Sequence, residues 1–225
     1  MMTLRIKYTK ENYMKFLGHL ELMKLFERVF RRHKFPLKFS EGFNPHPRMT
    51  FASPLSVGYS SKYEVMEVIL ISELPIADVL KTAFPDGIKV LDAAYVDSKT
   101  SLMAGIGSSE YLINVSGTNF PNNSNEILEQ FLDQAEILYE KPNKKKQMRE
   151  IDAKPQIHFA SMIYFDKQEF TIRCRLQSSS QGNLNPELFA KLFCEYMKTP
   201  FIEDEIMVER INMYDHDGKT LFEIN

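Results

Sequence analysis

Apolar and polar residues alternate through "LRIKYTK" (4–10), the period-2 pattern of a half-buried strand. From residue 18 the period changes to 3.6. In "GHLELMKLFERVFRRHK" (18–34), Leu22, Leu25, Phe26, Val29 and Phe30 fall on one side, and Lys24, Arg28, Arg31 and Arg32 fall on the other with Glu21 and Glu27. The pattern predicts a helix that buries one face and displays a cationic one. Phe35-Pro36 should stop it, because proline disfavours helical geometry in the residue before it. Residues 37–52 read as extended, "YEVMEVILIS" (63–72) as a strand rich in β-branched residues, "LPIADVLKTAFPDG" (74–87) as a short helix opened by proline, and "IKVLDAAYVD" (88–97) as a strand.

The order then repeats. "EYLINVSG" (110–117) predicts a strand, "SNEILEQFLDQAEILYEK" (124–141) a helix, and 151–166 with 168–177 a hairpin. "NPELFAKLFCEYMK" (185–198) predicts a helix with Asn185 as N-cap and Pro186 at its start, "IMVERINMYD" (206–215) a strand, and "KTLFEIN" (219–225) an edge strand. Two βαββαβ series in tandem predict an α+β fold of two ferredoxin-like sandwiches, each an antiparallel sheet with its helices on one face. The expected boundaries are residues 1–98, a small and glycine-containing linker at 99–109, and residues 110–225.

Composition narrows the class without naming a function. No stretch approaches the 18 apolar residues of a membrane helix, and no signal-peptide h-region precedes the first strand. Cys174 and Cys194 form no CxxC, which fits a reducing cytoplasm. Net charge is -2, yet residues 1–50 carry eleven Lys or Arg against Glu11, Glu21, Glu27 and Glu41, an excess of +7. Such a localised basic surface suits a polyanion or an acidic protein partner. A second basic run, "NKKKQMREIDAK" (143–154), reads as a solubilising loop.

The most conspicuous chemistry lies in "FSEGFNPHPRMTF" (39–51). His46 could ligate a metal or act as a general base, but no HxH, HxxxH or CxxC offers co-ligands, so no metal site is expected. Neither GxxxxGK[ST] nor GxGxxG is present, and no cofactor is expected. The stretch has a superficial likeness to the RNP1 strand of RRM domains, but it falls in the second strand rather than the third, and Pro45 and Pro47 would break a central ladder. Those prolines fix φ, and Gly42 permits a positive φ, giving a stiff segment that holds Asn44, His46 and Arg48 in a set arrangement. It is either a recognition loop or a structural turn whose Phe39, Phe43 and Phe51 pack into the core. If the loop lies beside the 18–34 helix, Lys38 and Arg48 join Lys24, Arg28, Arg31 and Arg32 in one cationic patch.

Residues 17–67 resemble a bacterial family of radical-SAM-associated (radical-SAM-linked) proteins, a domain of unknown function. The resemblance rests on His19 to Leu22, Ser40, Gly42 to Arg48, Pro54-Leu55, Gly58, and Ser61 with Glu64. Glu21 stands where the family has Asp, and Lys154-Pro155 where it has Arg-Pro; lysine would forgo a bidentate contact. The resemblance implies a radical-SAM protein with a cobalamin-binding region as partner. This chain lacks the CxxxCxxC of an iron-sulfur site and is not itself the radical enzyme.

Three readings follow. The leading one is a non-catalytic accessory or substrate-recognition protein that binds RNA and acts with a radical-SAM enzyme. The second is a protein-interaction domain docking on that partner without RNA. The third is a small RNA-processing or anion-acting enzyme using His46.

Overall fold

The computed structural model describes residues 2–97, 101–142, 147–179 and 181–223. In chain order its strands and helices are β1 (Met2–Lys10), α1 (His19–Arg32), β2 (Met49–Phe51), β3 (Ser60–Leu70), α2 (Ile76–Leu80), β4 (Val90–Val96), β5 (Ile106–Ser116), α3 (Ser124–Asp133), β6 (Leu138–Pro142), β7 (Met148–Asp152), β8 (Ile157–Phe165), β9 (Glu169–Ser179), β10 (Gly182–Asn183), α4 (Pro186–Met197) and β11 (Ile206–Asp215). The fold is mixed, with antiparallel sheet and few helices. The chain forms two compact units, residues 1–107 with 210–225 (unit 1) and residues 108–209 (unit 2).

In unit 1, β1 pairs antiparallel with β3 on one side and β4 on the other, and β2 pairs with β3. Alternation along β1 sends Leu4, Ile6 and Tyr8 to the face that meets Met66, Val68 and Leu70 of β3 and the apolar side of α1. Leu22, Leu25, Phe26, Val29 and Phe30 are all buried there, as the 3.6 period predicts, each contributing about 1.5–3 kcal/mol. Edge-on and stacked rings knit the layer: Tyr8 to Phe26 (4.8 Å), Phe26 to Phe51 (5.4 Å) and Phe30 to Phe35 (4.5 Å).

Helix α1 stops before Phe35-Pro36 can act. Lys34 takes a left-handed φ of 55°, and the Phe35 N–H donates to the Phe30 carbonyl (3.0 Å), the closure of a Schellman motif. At the other end the Glu21 carboxylate accepts from the Gly18 N–H (2.9 Å), so Glu21 serves the first turn from its third position.

The opposite face of β3 has its own cluster: Tyr63 and Val65 pack with Ala52, Leu102, Ile106, Met213 and Leu221. That cluster is why the end of the chain belongs to unit 1, where the sequence grouped 110–225 together. The Phe222 N–H donates to the Tyr63 hydroxyl (3.0 Å), and Arg5, paired with Glu67 (2.7 Å), also reaches the Leu221 carbonyl (3.3 Å). The described residues of "KTLFEIN", 219–223, do not form the edge strand expected beyond a single bridge of Thr220 to Tyr214. Leu221–Glu223 make a 3-10 turn that seats Leu221, and residues 224–225 lie outside the described residues. Of the expected linker 99–109, residues 99 and 100 lie outside the described residues, Leu102 is core, and β5 has begun by 106.

In unit 2, β9 pairs with β5 along one edge and with β8 and β10 along the other. The helix predicted over 124–141 ends at Asp133. Gln134 turns extended (φ -55°, ψ 145°), its Nε2 donates to the Phe131 carbonyl (3.0 Å), and the Lys154 ammonium donates to the Leu132 carbonyl. Two side chains thus satisfy carbonyls that a further helical turn would have used. Beyond them Ile137 is buried, and β6 pairs with β7 from Leu138 opposite Asp152 to Pro142 opposite Met148. The basic run 143–154 is therefore not one loop: 143–146 lie outside the described residues, and 148–152 are strand.

Helix α4 begins as predicted, Asn185 Oδ1 accepting from the Glu187 N–H (2.8 Å). Asn185→Ala is expected to cost about 1 kcal/mol, read as a shift in a urea unfolding curve with unchanged slope. Cys174 and Cys194 are buried and free, and burial pushes the Cys194 thiol up to about 11 and the Cys174 thiol higher, which disfavours the thiolate in both. Among the described residues no helix is long and apolar enough to cross a membrane.

Candidate functional site: a proline-stiffened arm beside a cationic helix

The stretch around His46 is a hairpin that leaves the sheet and comes back to it. Leu37 bridges to Leu70 of β3, and Met49 pairs with Val68, only two residues further back along the same strand. Lys38 and Arg48 still bond to Ile69 of β3, the Lys38 N–H donating to its carbonyl (2.9 Å) and its N–H donating to the Arg48 carbonyl (3.0 Å), and residues 39–47 make the excursion. Its stem is laddered: Arg48 N–H donates to the Lys38 carbonyl (2.8 Å), and Ser40 N–H to the His46 carbonyl (2.8 Å). Phe39 and Pro47 face each other between those bonds, a position that asks no N–H of proline. The Ser40 hydroxyl also accepts from the His46 N–H (3.0 Å), closing the tip. Gly42 turns there at φ 117°, a conformation that L side chains rarely adopt.

The three phenylalanines of this stretch have three fates. Phe51 is buried, Phe39 packs half-buried against the core, and Phe43 stands at the tip with its side chain fully in solvent. The structural-turn reading placed all three in the core. It fails for Phe43 because the hairpin leaves the sheet edge and has no layer above its tip. Asn44, His46 and Arg48 are likewise exposed, Lys38 and Ser40 half-buried.

On α1, Lys24, Arg28, Arg31 and Arg32 are exposed, as the helical period required. Arg31 is held from two sides: it pairs with Glu27 one turn back (2.7 Å), and its guanidinium lies 5.1 Å from the centre of the Phe39 ring. That contact sets the cationic face against the stem of the arm, next to Lys38 and Arg48. Lys24, Arg28 and Arg31 also line an open groove with Glu21, Glu27 and Met14.

The two other motif residues lie elsewhere. His19 meets Phe51 edge-on (5.5 Å), and Glu64 is buried inside unit 1. Glu64 belongs to a polar cluster that sequence reasoning missed. It faces Tyr8 across the β1–β3 ladder and pairs with buried Arg210 (3.0 Å), whose guanidinium also donates to the Ser53 carbonyl (3.1 Å). Buried Lys10 donates to the carbonyls of Leu17 (2.9 Å) and Lys15 (3.4 Å), pinning the turn that leads into α1. Burial lowers the Lys10 ammonium pKa, opposed by the Glu64 charge; burial and then Glu64 raise the Tyr8 phenol well above its ordinary value. His19, Tyr8, Lys10 and Glu64 line a cavity with about 10 Å³ of free volume, room for about one water molecule. It is a structural junction rather than a substrate pocket. Strand alternation carried a signal for it: Lys10 continues the inward series Leu4, Ile6, Tyr8.

Among the described residues no group of three His, Cys, Asp or Glu could hold a metal ion.

The motif residues so placed lie within a sequence stretch that matches a family as a whole. The model of DUF2344, an uncharacterized protein family conserved in bacteria, covers residues 3–186. The chain belongs to the DUF2344 family. The DUF2344 match spans both the arm with α1 and most of unit 2. No curated protein matches the chain. Among solved structures it is similar to a chain of a Cbf5-Nop10-Gar1 complex, with a TM-score of 0.55 at 10% identity over 93% of this chain and 48% of that one. It is also similar to a chain of an archaeal box H/ACA sRNP Nop10-Cbf5 complex, with a TM-score of 0.49 at 8% identity over 92% and 46%. This DUF2344 chain thus spans about half the length of those structures, and at such identity the first likeness speaks for the fold alone.

Proposed function

We propose that this protein binds RNA through the arm and the cationic face of α1, as a non-catalytic recognition module. The observation that carries the reading is Arg31 seated on Phe39, which joins two basic elements, 28–32 and 38–48, into one surface. Lys24, Arg28, Arg31, Arg32, Lys38 and Arg48 can then meet successive phosphates, and a stem laddered by backbone bonds presents them with little ordering cost. In the strand order β4-β1-β3-β2, unit 1 supports a ferredoxin-like reading, and the proposed surface lies on its α1 side. We extend the proposal to a partner: the RNA is presented to a radical-SAM modification enzyme, a step that rests on the resemblance of residues 17–67 to radical-SAM-associated proteins. His46, exposed at the arm, serves as a contact residue and not as a base.

Filter binding of tRNA and rRNA fragments across a salt series tests the RNA reading. Neutralising four to six phosphates should give a log–log salt slope of about -3 to -5. Absent binding, or affinity indifferent to salt, overturns it. Copurification with the radical-SAM enzyme free of nucleic acid, abolished by Arg28→Glu with Arg31→Glu, would establish protein docking instead.

A further inference from the structure

Phe43 is an exposed aromatic residue of the arm that the phosphate-binding surface does not use. It is fully exposed, at the tip of a hairpin whose geometry is fixed by Pro45, Pro47 and the paired Ser40 and His46. Water meets the whole ring, and nothing within unit 1 covers it. Within the arm its neighbours are polar: Glu41, Asn44 and His46 flank it, and Lys38 and Arg48 stand at the stem.

We propose that Phe43 is a stacking platform for one unpaired base, so that the arm selects single-stranded or looped RNA over duplex. The inference rests on the RNA reading above and adds the substrate class. Three features favour it over an apolar anchor for a protein. A protein hot spot sits in a contiguous apolar patch that excludes water, whereas the arm around Phe43 offers carboxylate, amide and imidazole. Base stacking needs only one accessible aromatic face, because every base has a π-surface. The arm's polar groups also suit RNA: Asn44 and His46 near the tip for hydrogen bonds to a splayed base, and Lys38 and Arg48 at the stem for phosphates further along the strand. A base inside a duplex is already stacked on both sides and cannot take the ring without unstacking. The stiff stem holds the ring out before RNA arrives, so the affinity gained is not spent on ordering the loop.

The chain contains no tryptophan, so Phe43→Trp would place its sole indole at the tip. Emission of Phe43→Trp should be quenched by a single-stranded oligoribonucleotide, saturating at the dissociation constant found by filter binding. The same sequence as a duplex should leave the emission largely unchanged. Phe43→Ala should weaken single-strand binding roughly 5- to 150-fold, the range of a lost base stack, with the salt slope unaltered because no charge is removed. Phe43→Tyr should keep most of the affinity.

The outcomes separate the two claims. If Phe43→Ala binds single strands as well as wild type while Arg28→Glu/Arg32→Glu binds poorly, the stacking inference fails and the RNA reading stands. Equal quenching by duplex and single strand overturns the selectivity. If the wild-type protein binds no RNA, the RNA reading fails and this inference with it. If Phe43→Ala instead abolishes association with a purified protein partner and leaves RNA affinity intact, the tip is a protein anchor and the inference is overturned.

Discussion

Arg210→Met is expected to destabilise unit 1 by about 3–5 kcal/mol, the usual cost of removing one partner from a buried ion pair. Glu64 would remain 4% exposed with its guanidinium partner gone, beside a Tyr8 whose phenol stays neutral and cannot compensate the charge. The Ser53 carbonyl would lose a donor as well. Replacing both members, Glu64→Met with Arg210→Met, should recover most of the loss, since two apolar side chains of similar volume leave no buried charge in that pair. Urea unfolding of the two variants checks this, and a single-variant loss under about 1 kcal/mol would mean that the pair is open to water.

The double variant carries a further signature in pH. The folded-state pKa of Lys10 is already below 10.5 through burial, and Glu64 is the charge that opposes the shift. The double variant removes the Glu64 charge, which raises the value, together with the smaller opposing contribution of Arg210, so the net change is a further lowering. Between the folded value and 10.5 the unfolded chain binds the Lys10 proton and the folded chain does not, so stability rises with pH across that window. In the double variant the rise should begin at lower pH than in wild type.

Charge reversal on the exposed face of α1, Arg28→Glu with Arg32→Glu, should lower RNA affinity roughly tenfold or more at low salt and reduce the magnitude of the log–log salt slope by about 1.4 to 1.8, the loss of two phosphate contacts. Both side chains are exposed, so the fold should be unaffected. Arg31 is left in place because its seat on Phe39 also positions the arm. Lys191→Glu, an exposed charge on α4 of unit 2, is the control and should leave the slope as it is. Equal losses from Lys191→Glu and from the α1 pair would mean that net charge, not this face, governs binding.

Where the signal was local, the sequence was legible. Leu22, Leu25, Phe26, Val29 and Phe30 are buried, and Lys24, Arg28, Arg31 and Arg32 exposed, because a helix fixes both faces within a few turns. Asn185 caps α4 for the same reason. The helix over 124–141 was overrun because the apolar period continues past Asp133, and only pairing with 148–152, with Lys154 and Gln134 on the terminal carbonyls, turns residues 138–142 into strand. Lys10 was passed over because its carbonyl partners lie in a turn that β1 does not predict.

By itself the sequence determined β1, α1, β3 and β4, the two faces of α1 and the stiffness of the proline segment, because periodicity and the fixed φ of proline act over neighbouring residues. Tertiary structure decided the rest. It joined Arg210 to Glu64 across 146 residues of chain, folded the C-terminal residues against Tyr63 and Val65, seated Arg31 on Phe39 and left Phe43 in solvent. Each of these depends on where distant segments meet, and a linear pattern carries no term for the partner that a side chain finds or fails to find across the fold.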